Sequence, residues 1–411
     1  MTEALWLRLP RSPLWRRLYA IQGPLRGPRL RVGPQRDLLE GCEMQQLRTE
    51  IFILTTEPPE TLGGMETFIR EQIHGLEQRG YTVRTFHRRN SGRDALLRLA
   101  NRVSRPLSES LLGWVIGKAA QRAMHEGVAA VISHGLVGWY PLRVPPGRKQ
   151  IHFYHGTYRA YAEVMRLHIS QLGYWKMKWW DTMVLTRLSG RAKIILCNSG
   201  LVAAEVKRFF GYESQVTSLV GTRQSAPLDR AECRHTLGLP ADAPVGAFVG
   251  SLHPMKNFPM VRALIQALPE VHWIIALRGD LPKEPFASPN VRLIRDAPSE
   301  KIPVIFSAAD FSLCPSAYEP FGYVVPEALS CGTPVIATPG GASSLFLGDS
   351  PLDGLLVPDP NDTGAFVAAV REVLTRPEYY RQLVVEHARP KVEYWMSPEN
   401  WWRRFFELTG L

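Results

Sequence analysis

Cysteine is scarce in this chain. Its five cysteines, Cys42, Cys197, Cys233, Cys314 and Cys331, are scattered, odd in number and without a C-x-x-C pair. That usage argues against a disulfide framework or a structural zinc site and points to a reducing compartment. Long apolar runs are missing too. Nothing approaches the roughly 18 uninterrupted apolar residues that cross a bilayer, and the first residues lack the apolar core and small-residue cleavage site of a secretory signal. His152 and His155, three apart, end a strand-like run instead of lying in an H-E-x-x-H helix, so no metal site is expected. Helix-turn-helix, RNP and zinc-finger patterns are also absent. Nucleic acid is therefore not expected as a partner, despite a net charge of +11.

What is present describes a globular protein. Apolar residues make up 45% and charged residues 21%, and 411 residues exceed what one hydrophobic core serves, so two domains are expected. The positive charge suits anionic lipid or phosphorylated substrates. Residues 1–43 hold eight Arg and no Lys, while Pro10 and Pro13 break any long helix. They read as a disordered extension; a basic membrane-surface arm and an over-long reading frame with Met44 as its start are the alternatives.

The first strand-like run is Ile51–Thr56. A Gly-rich turn, Leu62-Gly-Gly-Met65, leads into a helical stretch from Glu66 to Arg79, stopped by Gly80, and a second run follows at Tyr81–Phe86. Strand, Gly loop, helix and strand form half of a doubly wound α/β sheet, with the Gly loop at its ligand edge. Gly63 and Gly64 permit close backbone approach to a phosphate or sugar. Ala129–His134 and Gln150–His155 read as further strands, each ending in His at that edge, and Ile194–Ser199 as another. Between them, Tyr174-Trp-Lys-Met-Lys-Trp-Trp180 interleaves aromatics with cations. It suits a membrane interface, with Trp at headgroup depth and Lys on lipid phosphate. It suits equally a domain helix that buries its Trp face and lets its Lys stems reach out.

A second α/β unit opens at Val245-Gly-Ala-Phe-Val-Gly-Ser251, with Lys256 shortly after the strand, and continues with His272–Leu277 ending at Arg278. The rest of that unit is arranged around Ala317-Tyr-Glu-Pro-Phe-Gly-Tyr-Val-Val-Pro-Glu-Ala-Leu329, between strand-like Phe311–Pro315 and Val335–Ala337. A short helix is expected to begin between Phe321 and Val324, because Pro326 is tolerated only in a first turn. Glu319 then lies in the loop ahead of it and Glu327 one or two turns inside. Free N–H groups at a helix start favour an anion. A carboxylate at each end of such a start suits a sugar, a diphosphate and a ribose in a row.

Glu319, seven residues, then Glu327, with Phe321-Gly322 inside and Gly332-Thr-Pro334 after, resembles the retaining nucleotide-sugar glycosyltransferases of family 4. The resemblance covers roughly residues 50–410. It implies the GT-B fold, an α/β architecture of two Rossmann-like domains facing across a cleft, with a C-terminal helix crossing back to the N-terminal domain. The matching division is an extension 1–45, an acceptor domain 46–225, a donor domain 226–392 and a terminal helix 393–411. Ser397 caps that helix and Pro398 opens it.

The resemblance also implies sugar transfer from a UDP-, GDP- or ADP-linked donor to a carbohydrate or lipid-linked acceptor, with retention and with neither metal nor cofactor. The setting it implies is polysaccharide, lipopolysaccharide or glycolipid synthesis; the cysteine usage adds a cytoplasmic location, and the positive charge adds peripheral contact at the anionic inner face of the plasma membrane. Carried over to this chain, Glu327 accepts from ribose hydroxyls and Glu319 holds sugar hydroxyls. The amides of Phe321 and Gly322 add donors, Gly64 and Gly250 admit the donor, Lys256 stabilises the leaving phosphate and His155 approaches the sugar. Four departures stand out. Ser251 replaces the family's Arg, and Arg278 is expected to substitute for it. Arg278-Gly-Asp280 differs from Gly-x-Gly, Val220-Gly-Thr-Arg223 from Asn-Gly-Val-Asp, and Ser344 from Glu. A GT-B epimerase and an inactive sugar- or lipid-binding scaffold are the alternatives.

Overall fold

The computed structural model describes residues 49–61, 63–91, 105–192, 194–219, 226–279 and 288–411. The basic extension, Leu62, the segment Val220-Gly-Thr-Arg223 and Asp280 lie outside them.

Two parallel sheets form the frame. The first contains β1 (Glu50–Leu54), β2 (Thr82–Phe86), β3 (Val128–His134), β4 (Lys149–Tyr154), β5 (Ile194–Cys197) and β6 (Gln215–Val216), in the order β2-β1-β3-β4-β5-β6. The second contains β7 (Val245–Ser251), β8 (His272–Arg278), β9 (Val291–Arg295), β10 (Phe311–Cys314) and β11 (Val335–Ala337), in the order β11-β10-β7-β8-β9. Ile51, Phe52, Ile53 and Leu54 are all buried, as a central strand with helices on both faces requires. Because each sheet is parallel, the loops that follow its strands gather along one edge. The sequence reading assigns no strand at β6 or β9. Both are edge strands, one only two residues long and the other carrying Arg292 and Arg295 among its apolar residues, so neither shows the continuous apolar run of a buried strand.

The terminal helix Pro398–Thr409 is capped by Ser397, whose hydroxyl accepts from the Asn400 amide at 3.4 Å. It crosses back to the first domain, as the resemblance implies. Trp401 and Phe405 are fully buried against Phe153 of β4, and Trp401 also meets Phe68 on helix Gly64–Glu77. Gly75 makes room for the neighbouring indole: a Cβ there would lie 2.3 Å from the Trp402 ring.

The aromatic and cationic stretch departs from ordinary helix. Gln171–Trp175 runs into an i→i+5 π-helix over Lys176–Thr186, then Arg187–Ser189. Thr182 and Thr186 hydroxyls donate to the Met177 and Asp181 carbonyls five residues back, which suits that wider ladder. The buried side is Tyr174, Asp181, Thr182 and Leu185. The three Trp side chains point the other way and are about half exposed, so this helix does not bury its Trp face.

Candidate active site

The second sheet's edge brings the expected charges together. β7 ends at Gly250-Ser251 and β8 at Arg278, and the register pairs Ser251 with Arg278. Arg278 therefore stands one strand over from the position where the family carries its arginine. Beyond β7, His253 accepts from the Met255 amide and opens the turn Pro254–Lys256. Asn257, left-handed at φ 51°, redirects the chain into helix Phe258–Ala267. The Met255 carbonyl accepts from the Ala317 amide at 2.7 Å, tying this turn to the central loop. Lys256 Nζ then meets Glu319 Oε2 at 2.5 Å, and the Ser316 hydroxyl donates to the same oxygen at 3.0 Å.

Two glycines set the shape of that loop. Gly322 has φ 88°, and a Cβ there would lie 2.7 Å from Glu319 Cγ, so a side chain would push the carboxylate aside. At Gly341 a Cβ would come within 2.1 Å of the Pro320 carbonyl. The amides of Gly341 and Ala342 donate to the carbonyls of Glu319 and Phe321, so Pro339-Gly-Gly341 clamps the motif from behind. Gly340 is extended and caps helix Gly341–Leu347, and its amide donates to the Ser344 hydroxyl. Helix Val324–Ser330 begins at the late end of the expected window, which puts Glu327 in its first turn, no deeper.

Burial raises the Glu327 carboxyl to about 7, with Arg278 opposing the rise, so the two side chains share one electrostatic neighbourhood. Burial also opposes charge on Lys256. Glu319, Cys314 and the hydrogen bond to Glu319 outweigh it, so the lysine pKa lies above its usual value and the ammonium persists.

The facing edge belongs to the first domain. Gly64 opens helix Gly64–Glu77 and faces the Tyr323 ring, 3.8 Å from where its Cβ would be. His155 follows β4; its Nε2 lies 2.9 Å from His134 Nδ1, and His134 Nε2 lies 3.1 Å from Gln72 Oε1. Burial holds His155 down to about 4 and His134 well below its ordinary value, so both rings are neutral. His152, bonded to the Ser133 hydroxyl at 2.8 Å, is lowered to about 3 for the same reason.

Beyond the returning helix, polar contacts that the sequence does not reveal join the domains. The Ser199 hydroxyl donates to the Pro320 carbonyl at 2.6 Å, and Gly156 packs against Pro320 and Tyr318. Glu205, fully buried, accepts on Oε2 from the Thr157 hydroxyl (2.7 Å) and from the Tyr318 hydroxyl (2.9 Å), the latter from the second domain. Burial carries its carboxyl up to about 7. Its other oxygen is buried without a hydrogen-bond partner. A sequence signal existed: Glu205 interrupts the apolar face Leu201, Val202, Val206 and Phe210 of its helix.

Comparison with known proteins agrees with this geometry. Residues 229–389 match the family model described as glycosyl transferases group 1, and residues 62–220 match that of glycosyltransferase family 4. Over 240 residues the chain is 29% identical to D-inositol 3-phosphate glycosyltransferase 2 of Catenulispora acidiphila, covering 51% of this chain and 56% of that protein. Over 210 residues it is 30% identical to O-antigen chain mannosyltransferase B of Escherichia coli, covering 44% and 52%. The chain thus spans little more than half the length of these curated relatives. Sucrose-phosphate synthase from Thermosynechococcus elongatus superposes with a TM-score of 0.67 at 21% identity, over 88% of this chain and 98% of that one, a likeness of fold. Paired parallel sheets, a helix returning from the second domain to the first, and two family models that between them span both domains lead to one assignment: the chain belongs to glycosyltransferase family 4, with the GT-B fold.

Proposed function

We propose that the protein is a retaining glycosyltransferase that moves a sugar from a nucleotide-diphosphate donor to a carbohydrate or lipid-linked acceptor. The Lys256–Glu319 pair, held in a glycine-clamped loop opposite Gly156, is the observation that carries this reading. On it, the diphosphate lies along the second sheet's edge between Lys256 and Arg278. Glu327 accepts from the ribose hydroxyls, for which an acceptor-only carboxylate is the right group. The amides of Phe321 and Gly322 and the ammonium of Lys256 stabilise charge growing on the departing phosphate, a term that commonly dominates such reactions. Glu319 divides its oxygens between Lys256 and the sugar hydroxyls. His155, a neutral ring, serves as a hydrogen-bond partner to the sugar and not as a titrating base at physiological pH. Acceptor attack on the donor's own face, with the leaving phosphate taking its proton, gives retention with neither a separate base nor a metal.

The relatives are named for glycosyl transfer involving D-inositol 3-phosphate and for mannosyl transfer in an O-antigen chain. Those names support a cell-surface or glycolipid acceptor here. The test is a parallel screen of UDP-, GDP- and ADP-sugars by thermal shift, followed by NMR of the product's anomeric proton. One donor class should stabilise the fold, its anomeric configuration should survive transfer, and EDTA should leave the rate unchanged. Inverted product, or a rate abolished by chelator and restored by Mn²⁺, would overturn the mechanism. Turnover of donor alone to an epimeric sugar would favour the epimerase reading.

A further inference from the structure

Nine large apolar side chains are exposed among the described residues, and five of them lie between Leu167 and Trp180. Leu172 is 82% exposed, and Trp175, Trp179 and Trp180 about half. Their spacing follows the helix. The outward side runs from Leu172 to Trp175 on the α-helical turn and on to Trp179 and Trp180 in the wider i→i+5 helix, while Asp181, Thr182, Leu185 and Thr186 turn inward. Farther along the same segment, exposed Arg187 and Arg191 rim a groove of about 450 Å³ whose apolar wall includes Met183, Val184 and Leu188.

The charges on this segment are unevenly balanced. From 158 to 192 there are six Arg and Lys against two acids. Both acids are already engaged, Asp181 with Lys176 at 2.8 Å and Glu163 with Lys178 at 2.7 Å. The surplus is four arginines: Arg159, which lies over the Trp179 ring at 5.4 Å, Arg166, Arg187 and Arg191. An apolar, Trp-rich stripe fringed by unneutralised arginines matches a surface that is oily below and anionic above. A second copy of the chain is a poor match, because a two-fold contact would press the same positive patch against itself.

We infer that the outward stripe from Leu172 to Arg191 is the face by which this protein lies on an anionic lipid bilayer, its indoles at headgroup depth and its arginines on lipid phosphate. The face does not depend on the transfer reaction. It is continuous with the cleft all the same, since helix Tyr158–Met165, which packs beneath it, directly follows His155-Gly156, and its Tyr161 hydroxyl lies 3.0 Å from His253 of the second domain.

The full chain is to be sedimented with neutral phosphatidylcholine vesicles and with vesicles containing phosphatidylglycerol. Binding should appear only with the anionic vesicles and weaken with added salt, and brominated acyl chains should quench tryptophan fluorescence. The combined variant Leu172→Ser, Trp179→Ser, Trp180→Ser should lower partitioning by about tenfold or more, with an unchanged melting temperature to show that the fold survives. Arg187→Glu with Arg191→Glu should abolish the anionic preference. Undiminished binding by the triple variant, or wild-type binding without tryptophan quenching, would assign attachment to another part of the chain and refute the proposal. Light scattering that shows wild-type dimers and a monomeric triple variant in the absence of lipid would refute it in favour of a protein–protein face.

Discussion

The two edges that meet across the cleft carry different kinds of polar group. The first domain presents imidazoles, His134 buried and His155 partly buried, linked to each other, with protonation suppressed by desolvation. The second presents two cations, Lys256 and Arg278, and two carboxyls, Glu319 in a glycine-shaped loop and Glu327 in a helix's first turn, the latter raised towards neutrality by burial. Hydrogen-bonding capacity without charge suits sugar hydroxyls, whereas a diphosphate requires cations. On the proposed function, this asymmetry favours the second edge for the phosphates and the first for the sugar. It also shows where each domain can tolerate change: a neutral ring needs a partner to orient it, while an ammonium needs a counter-charge until substrate arrives.

Removing Lys256 should break the contrast most severely. Lys256→Ala strips the charged edge of its half-buried cation and leaves Glu319 with the Ser316 hydroxyl alone, and should lower kcat/KM by about 10²–10³, the scale of losing a preorganised electrostatic donor. Steady-state kinetics with the donor varied checks this.

The seam between the edges comes next. Glu205 has its carboxyl raised from 4.5 to about 7 by burial, so the folded chain binds a proton more tightly than the unfolded one. The corresponding stability is present below pH 4.5 and is lost as pH rises through 7, on the order of 3 kcal/mol in all. Glu205→Gln should remove this dependence. The melting temperature of wild type minus that of the variant should fall between pH 5 and pH 8, and a flat difference would contradict the assignment.

Arg278→Ala should weaken donor binding by about 1.5–3 kcal/mol, the value of one charged hydrogen bond, or roughly tenfold to a hundredfold in Kd by titration calorimetry. Unchanged affinity would show that Arg278 does not replace the arginine absent at Ser251.

The smallest effect is expected at His155. His155→Asn keeps a neutral hydrogen-bonding side chain and should cost about tenfold in kcat or less. Because the imidazole titrates near 4, wild type and variant should have parallel pH–rate profiles from pH 5.5 to 8. A limb near pH 6.5 present only in wild type would mean that the ring titrates during turnover.

Much of the charged edge was legible in the chain. Glu319 and Glu327 frame an unmistakable order of strand, loop, short helix and Gly-Thr-Pro, and Lys256 follows its strand within one turn, so local spacing alone places these residues at an edge. The neutral edge was half legible. His134 and His155 end their strands visibly, but nothing in the sequence links them to each other or to Gln72, 62 residues from His134. Glu205 and Tyr318 are 113 residues apart, so their bond exists only because two domains close on one another. The aromatic helix was open between two readings, because alternating Trp and Lys looks the same whether the indoles face inward or outward.

The chain by itself determined the order of strands and helices, the apolar runs that become sheet interiors, and the glycines without which the motif loop cannot form. Those are local consequences of sterics and hydrophobic burial, and they act within a few residues. Tertiary structure alone decided which carboxyls are desolvated towards neutrality, which cation stands beside Ser251's empty place, and that the tryptophans face outward. Desolvation and Coulomb interactions depend on what packs around a group in space, and those neighbours come from distant parts of the sequence.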